Sequence, residues 1–124
     1  MGPSRPRLPS RLLLGGLATL LAAACGVRSP EQQVLEEFFR DARLIDSTML
    51  ARTATTTFDP RTRGSIQQFE ITAMGAERVA GSTVMRDVTL EAPVHTPDGP
   101  TVQRTLVATL QRTGDGRWLV TAIR

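Results

Sequence analysis

The spacing of apolar residues changes once along this chain, and the change restricts the fold class. From Val34 to Ile45 apolar side chains recur every three or four positions, as they do on one face of a helix. From Ser65 onward they alternate with polar side chains, as they do on one face of a strand. A chain whose helices all precede its strands is typical of α+β folds, in which helices cover one face of an antiparallel sheet. The sequence therefore predicts an α+β domain with one long helix, a short second helix and a four-stranded antiparallel sheet.

The start of each helix is marked by its own residues. Ser29 is a favoured N-cap residue, Pro30 suits the first helical position, and Glu31 places a negative charge at the positive end of the helix. Asp46 offers a second N-cap, which predicts a short helix that runs through Ala51.

The strands follow from alternating apolar residues. Phe58, which precedes the first strand, is expected to lie in the core. The first strand places Phe69, Ile71 and Ala73 on one face and ends near Gly81. The apolar faces of the next two strands consist of Val84, Val88, Leu90, Ala92 and Val94, and of Val102, Leu106, Ala108 and Leu110.

Side-chain parity decides the turn between the second and third strands. A two-residue turn at Asp98 and Gly99 would set apolar residues of one strand opposite polar residues of the other. A three-residue loop of Pro97, Asp98 and Gly99 sets apolar residues opposite each other and gives glycine the left-handed position. We therefore predict this loop, with Leu90 opposite Leu106. The strand that follows is apolar on both faces, so the pattern leaves its register open.

Residues 1–24 have the composition of an export signal. Arg5, Arg7 and Arg11 precede an uncharged, largely apolar run of 13 residues, and the segment contains no acid. A basic start, an apolar centre and small residues at the end are the three parts of a secretory signal. The run is too short for a spanning helix, which needs about 20 apolar residues. We interpret this segment as a cleaved signal peptide.

The end of the run resembles a bacterial lipobox, in which small residues precede a cysteine. Residues 20–26 read LLAAACG and contain the one cysteine of the chain. The resemblance implies that Cys25 receives diacylglycerol, is cleaved on its N-terminal side and becomes the first residue. The pattern departs at Ala22, where the lipobox usually has leucine. Ordinary signal peptidase also cuts after a small-x-small sequence, so a secreted domain without lipid is the alternative.

These features predict the organisation and address of the protein. The parts are a lipoprotein signal peptide (1–24), a lipidated tether (25–29) and an α+β domain (30–124). The protein is expected to be exported and held in a membrane of the cell envelope through its lipid anchor. By resemblance to enterobacterial sorting, Gly26 in place of aspartate favours the outer membrane, and the periplasmic face of the cell envelope is the broader alternative.

The charge of the domain predicts no nucleic-acid partner. The chain has 15 basic and 12 acidic residues. Three arginines lie in residues 1–24, and without them 12 basic residues face 12 acidic ones. Nucleic-acid binding needs a basic surface that neutralises phosphates. A neutral domain with interspersed signs does not offer one.

The element order is similar to that of small nuclear-transport-factor-2-like, cystatin-like domains of bacterial lipoproteins. The similarity covers residues 29–124 and rests on the order of helices and strands, on Phe58 between them, and on the closing strand from Trp118 to Ile123. It implies a curved sheet wrapped around the long helix, often with a cone-shaped pocket. It implies no reaction, because this fold hosts enzymes, ligand binders and interaction modules alike.

No catalytic, metal or cofactor site is predicted. His95 is the single histidine and lies beside the turn at 97–99, where a solvated loop histidine is expected. Cys25 is assigned to lipidation, which leaves no ligand set for zinc or for a cysteine nucleophile. Acid–base catalysis would need a pair of carboxylates, and most of the available ones fall on the solvent face of the helix. The available carboxylates are those of Glu36, Glu37, Asp41 and Asp46. We therefore predict a protein that is not an enzyme and has no cofactor.

Two arginines are candidate ligand-binding residues. Arg86 and Arg104 lie in phase with the apolar faces of their strands. If that face lines a pocket, they could meet an anionic ligand or pair with an acid of the helix. The alternative, which we favour, is that each side chain runs its stem over apolar surface and keeps its guanidinium in water.

The sequence leaves two functional hypotheses open for the exported domain. The leading hypothesis is a non-catalytic envelope lipoprotein whose domain binds a partner protein or helps to organise the cell surface. The second is a small-ligand-binding protein or enzyme that uses the pocket of the fold. A deep pocket containing Arg86 or Arg104 and a carboxylate would favour the second, and a filled core would favour the first.

Overall fold

A computed structural model describes residues 28–114 and 116–124. The predicted signal peptide and Cys25 lie outside the described residues. The elements are α1 (Pro30–Leu44), α2 (Ser47–Leu50), β1 (Ser65–Ile66), β2 (Glu70–Met74), β3 (Arg78–Ala80), β4 (Thr83–His95), β5 (Thr101–Arg112) and β6 (Trp118–Ile123). The two helices pack against a curled antiparallel sheet, which confirms the predicted α+β class.

Both helices begin at the predicted caps. The Ser29 side chain accepts a hydrogen bond from the backbone N–H of Gln32 at 3.1 Å, and the Asp46 carboxylate accepts one from Met49 at 3.1 Å. α1 ends at Ile45, which adopts the left-handed conformation with φ 54°. This conformation is costly for a β-branched residue, and Ile45 is 57% exposed, so burial does not compensate for it.

The sheet has four rows, of which the first is broken into three pieces. β1, β2 and β3 all pair with one side of β4, β5 pairs with its other side, and β6 pairs with β5. The register slips along the first row, because Ile66 lies opposite Val94 whereas Ala80 lies opposite Thr83. Extra residues in one strand of a pair increase the local twist. The breaks therefore help to curl the sheet around α1.

One of these irregularities corrects the predicted first strand. Ile71 lies opposite Leu90 on the inner face, as expected. A bulge follows, and Ala73 then lies opposite Thr89 and is exposed. The prediction that Ala73 shares the inner face with Ile71 is therefore wrong, because a two-residue period does not anticipate an extra residue.

The hairpin between β4 and β5 confirms the parity argument. Leu90 lies opposite Leu106. The Thr96 N–H donates to the Pro100 carbonyl at 3.0 Å, and the Gly99 N–H donates to the Thr96 carbonyl at 3.1 Å. These bonds enclose a three-residue loop. Gly99 has φ 115°, a conformation that favours glycine.

The structure fixes the register of β6, which its sequence left open. Thr109 lies opposite Ala122, whereas Leu110 lies opposite Val120, so one residue of β6 bulges between these pairs. The other edge of β6 is also covered, because Val120 exchanges backbone hydrogen bonds with the segment 53–55 that follows α2.

The space between α1 and the sheet is filled by side chains. Leu35 and Phe38 of α1 are 0% exposed, and so are Leu90 and Leu110 of the sheet. Phe58 is 3% exposed, which confirms its predicted place in the core. Phe39, the second aromatic residue of α1, joins this cluster. The centre of its ring lies 5.0 Å from that of Phe38, 5.7 Å from that of Phe58 and 5.6 Å from that of Phe69.

Candidate functional site

Arg86 makes an ion pair with the first turn of α1. Its Nη1 donates to the Glu31 carboxylate at 2.6 Å. For Arg86 the favoured prediction of a guanidinium in water is therefore wrong, and the structure has the pair with a helix acid instead. The Arg86 side chain is 21% exposed and that of Glu31 is 7% exposed. The pair therefore joins β4 to α1 in a setting that water reaches only in part.

A second carboxylate extends this ion pair to the edge of the sheet. Arg86 Nη2 lies 3.5 Å from Glu77, and Glu77 also accepts a hydrogen bond from Arg112 at 2.8 Å. The Arg112 guanidinium lies 4.5 Å from the centre of the Trp118 ring. The Arg86 Nε is buried and has no hydrogen-bond partner among the described residues. Two carboxylates thus neutralise the cation that a ligand pocket at this end of the sheet would use.

Arg104 lies elsewhere, and the structure does not bring it together with Arg86. It is opposite Ala92, whereas Arg86 is opposite Leu110. Arg104 is exposed, and its side chain makes no hydrogen bond or ion pair with any described residue. Its placement agrees with the alternative that we favoured, a guanidinium in water.

Arg104 lines an open groove of about 750 Å³ at one edge of the sheet, which we call the edge groove. Arg63 and Arg124 line it as well, and Asp98 is its one acidic residue. Arg63 donates a hydrogen bond to the backbone carbonyl of Ile123 at 2.9 Å, which fixes its stem beside the groove. The groove therefore presents more positive than negative side chains.

The backbone beside this groove is an unpaired strand edge, which we call the open edge of β5 (residues 101–106). β4 pairs with the whole of β5, but β6 pairs with it only over Ala108–Arg112. Past that range the Val107 N–H and carbonyl still bond Arg124, at 2.8 and 3.0 Å. No described strand covers 101–106 on that side. The sequence did not reveal this edge, because it depends on the register of β6.

His95 and the acidic residues of α1 each have their own surroundings in the structure. His95 is exposed at the end of β4, and its Nδ1 lies 2.8 Å from the Thr101 hydroxyl. Glu37 is exposed and Glu36 pairs with Arg28 at 3.0 Å. Asp41 differs from the expectation for a solvent face, since it is 3% exposed and accepts a hydrogen bond from the neighbouring Arg40.

Asp87 is an acidic centre that the sequence did not single out. It lies on the outer face of the sheet, where it accepts a hydrogen bond from Thr109 at 2.9 Å and pairs with Arg78 at 3.2 Å and Arg124 at 3.6 Å. The Thr109 hydrogen bond and the two guanidinium groups hold the pKa of Asp87 below its ordinary value, against the opposing effect of burial. These partners account for the charge of Asp87 without a ligand.

Neither a metal site nor a spanning helix is found in the described part of the chain. Residues 28–114 and 116–124 contain no group of three or more histidine, cysteine, aspartate or glutamate side chains that could hold a metal ion. Within the same residues, no helix is long and apolar enough to cross a membrane. No family model, curated protein or solved structure matches this chain.

Proposed function

We propose that this protein is an envelope lipoprotein whose α+β domain is a non-catalytic binding module. The observation that carries the proposal is the filled space between α1 and the sheet, where Leu35, Phe38 and Leu90 are 0% exposed. Where the described side chains fill this space, a ligand or partner would bind at the surface instead. The pair between Arg86 and Glu31 supports the same view, because it occupies the cation that an anionic ligand would need.

The second half of this proposal concerns the export of the protein and its anchoring in a membrane. Export and anchoring rest on the composition of residues 1–24 and on the resemblance of residues 20–26, which contain Cys25, to a lipobox. Two or more acyl chains hold a protein firmly, since each buried CH₂ contributes about 0.8 kcal/mol. A lipid on Cys25 would therefore confine the domain to a membrane surface, where its binding surface meets partners in the envelope.

Metabolic labelling with a fatty acid tests the anchor. The full chain is expressed in a bacterium with a labelled fatty acid, beside the variant Cys25→Ser. We expect label in the wild type and none in the variant. The double variant Cys25→Ser, Ser29→Cys is a matched control that moves the thiol to another position. It should remain without label, because the lipid is attached to a cysteine at the lipobox position and not to any thiol.

Other results would contradict the anchor. Equal labelling of the wild type and Cys25→Ser would show that lipid is attached elsewhere. A mature protein cleaved before Cys25 but without label would identify a secreted domain, and a chain that keeps residues 1–24 in the cytoplasm would exclude export.

A small-anion binder at Arg86 is the second candidate. The buried Arg86 Nε without a partner is the observation that favours it, since such groups are normally satisfied. Titration of the full chain with inorganic phosphate and with acetate, followed by calorimetry, separates the two candidates. Under our proposal, neither anion produces a saturable binding heat that depends on Arg86. A saturable heat in the wild type that is lost in Arg86→Met would favour the small-anion binder.

A further inference from the structure

We propose that the open edge of β5 binds an extended, acidic segment of a partner protein, which adds to the sheet as a further strand. This inference rests on the proposed function, since it names the surface and the partner chemistry of the binding module. Three features of the edge carry it: unpaired backbone groups, an excess of positive charge, and an exposed apolar side chain.

The phase of the backbone hydrogen bonds shows which groups are unpaired. Just beyond the ends of β4 and β5, the Thr96 N–H donates to the Pro100 carbonyl. Hydrogen-bonded pairs alternate along an antiparallel ladder, so even-numbered residues of β5 direct their N–H and C=O groups toward β4. Odd-numbered residues direct theirs to the other side, as Val107 shows by bonding Arg124. Gln103 and Thr105 therefore present their N–H and C=O groups to the edge groove. Such a row is a template for another strand.

The charges beside the edge select an acidic partner. Arg104 and Arg63 have no carboxylate partner among the described residues, and Arg124 shares Asp87 with Arg78. Positive side chains opposite negative ones speed association and fix the register of an added segment. A peptide of positive charge would meet like charges instead.

The inner face of the edge predicts a side-chain pattern in the partner. On an added strand, residues opposite Val102, Arg104 and Leu106 would share the inner face. Val102 is 39% exposed, so it gains burial when an apolar side chain lies opposite. We therefore expect an acidic residue opposite Arg104, with apolar residues two positions before and after it.

A second copy of this chain fits the edge less well. Pairing the edge of one molecule with that of another would bring Arg63, Arg104 and Arg124 of both molecules to one seam. Like charges directly opposite each other destabilise strand pairs. The charge pattern therefore favours a different, acidic chain.

A labelled peptide with the pattern Val-Thr-Glu-Thr-Val tests the inference by fluorescence anisotropy with the full chain in detergent. We expect saturable binding that weakens as salt is raised, and no binding of the same peptide with arginine in place of glutamate. N-methylation of alternate amides tests strand addition. Methylation of one alternate set should abolish binding and methylation of the other set should leave it, because only one set faces β5.

Two variants of the chain locate the site, with a matched control. Arg104→Glu should weaken peptide binding roughly tenfold or more, because it reverses the charge opposite the acidic residue. Gln103→Pro removes an N–H that faces the groove and leaves the bonds to β4 intact, so it should weaken binding while thermal unfolding changes little. Arg52→Glu makes the same charge change on an exposed residue outside the groove, and should bind the peptide like the wild type.

Several results would overturn the inference. One is that Arg104→Glu and Arg52→Glu weaken peptide binding equally, and another is that the two methylated peptides bind equally well. A third is a concentration-dependent dimer that Gln103→Pro dissociates, because this result would assign the edge to a second copy of the chain. Failure here is distinct from failure of the proposed function. Peptide binding is measured without reference to lipid, so a labelled Cys25 with no peptide binding refutes the edge alone, and binding by an unlabelled chain refutes the anchor alone.

Discussion

Replacing Glu31 by glutamine tests the idea that one ion pair joins the start of α1 to the sheet. Glutamine keeps the size of the side chain and can still accept a hydrogen bond, but it removes the negative charge. In the wild type the Glu31 carboxylate lies 2.6 Å from Arg86, and the two side chains are 7% and 21% exposed. The variant would leave the Arg86 guanidinium largely buried, with Glu77 at 3.5 Å as its remaining counter-charge.

The expected loss in the free energy of unfolding of Glu31→Gln lies between two limits. Exposed ion pairs contribute about 0–1 kcal/mol, and removing one partner of a buried pair costs about 3–5 kcal/mol. The pair between Glu31 and Arg86 is mostly buried, and Glu77 compensates in part, so we expect a loss of about 2 kcal/mol. Loss of the negative charge at the helix start adds a few tenths of a kcal/mol. For a domain of this size the change corresponds to a Tm lower by about 8–16 °C.

Thermal and urea unfolding of Glu31→Gln, Arg86→Met and the double variant measure the coupling between the two residues. The double variant should cost less than the sum of the single variants, because the second substitution removes a charge already left unpaired. The exposed pair of Arg28 with Glu36, with side chains 68% and 38% exposed, is the control, and Glu36→Gln should change stability by about 0.5 kcal/mol or less. Equal losses for Glu31→Gln and Glu36→Gln would refute the reasoning.

Three further perturbations test the fold. Ile45→Asn should raise the free energy of unfolding by up to about 1 kcal/mol in urea denaturation, because asparagine tolerates the left-handed conformation with φ 54°, and an unchanged or lower value would contradict the strain. Gly64→Ala should destabilise far more than Gly81→Ala, since a Cβ at Gly64 would overlap a backbone oxygen of β4 whereas one at Gly81 meets nothing; melting temperatures check the order. The lowered pKa of Asp87 means that its charge stabilises the fold above about pH 4 and that this contribution is lost as the pH falls through the lowered value. The stability difference between wild type and Asp87→Asn should therefore shrink in acid, and a difference that grows in acid would contradict the assignment.

Local signals in the sequence predicted much of the fold. Ser29 and Asp46 cap the helices because their side chains act within three residues, a distance that sequence spacing fixes. The loop between β4 and β5 was predictable because one face of both strands is apolar, and a shift of one residue would bury polar side chains opposite Leu90 and Leu106.

Long-range features could not be predicted in the same way. The bulge before Ala73 changes the face of every later residue in its strand, and the alternating pattern contains no signal for it. The partner of Arg86 was open because Glu31 is 55 positions away in sequence. The open edge of β5 depends on the register of β6, whose two apolar faces fit more than one register equally well.

Mass spectrometry of the mature N-terminus tests the central claim, that this domain acts from a lipid anchor. The protein is extracted from bacterial membranes with detergent, and its first peptide is sequenced and weighed. We predict a peptide that begins at Cys25 and carries the added mass of diacylglycerol on its sulfur. A first peptide with an unmodified Cys25, or one that still contains residues 1–24, would contradict the claim.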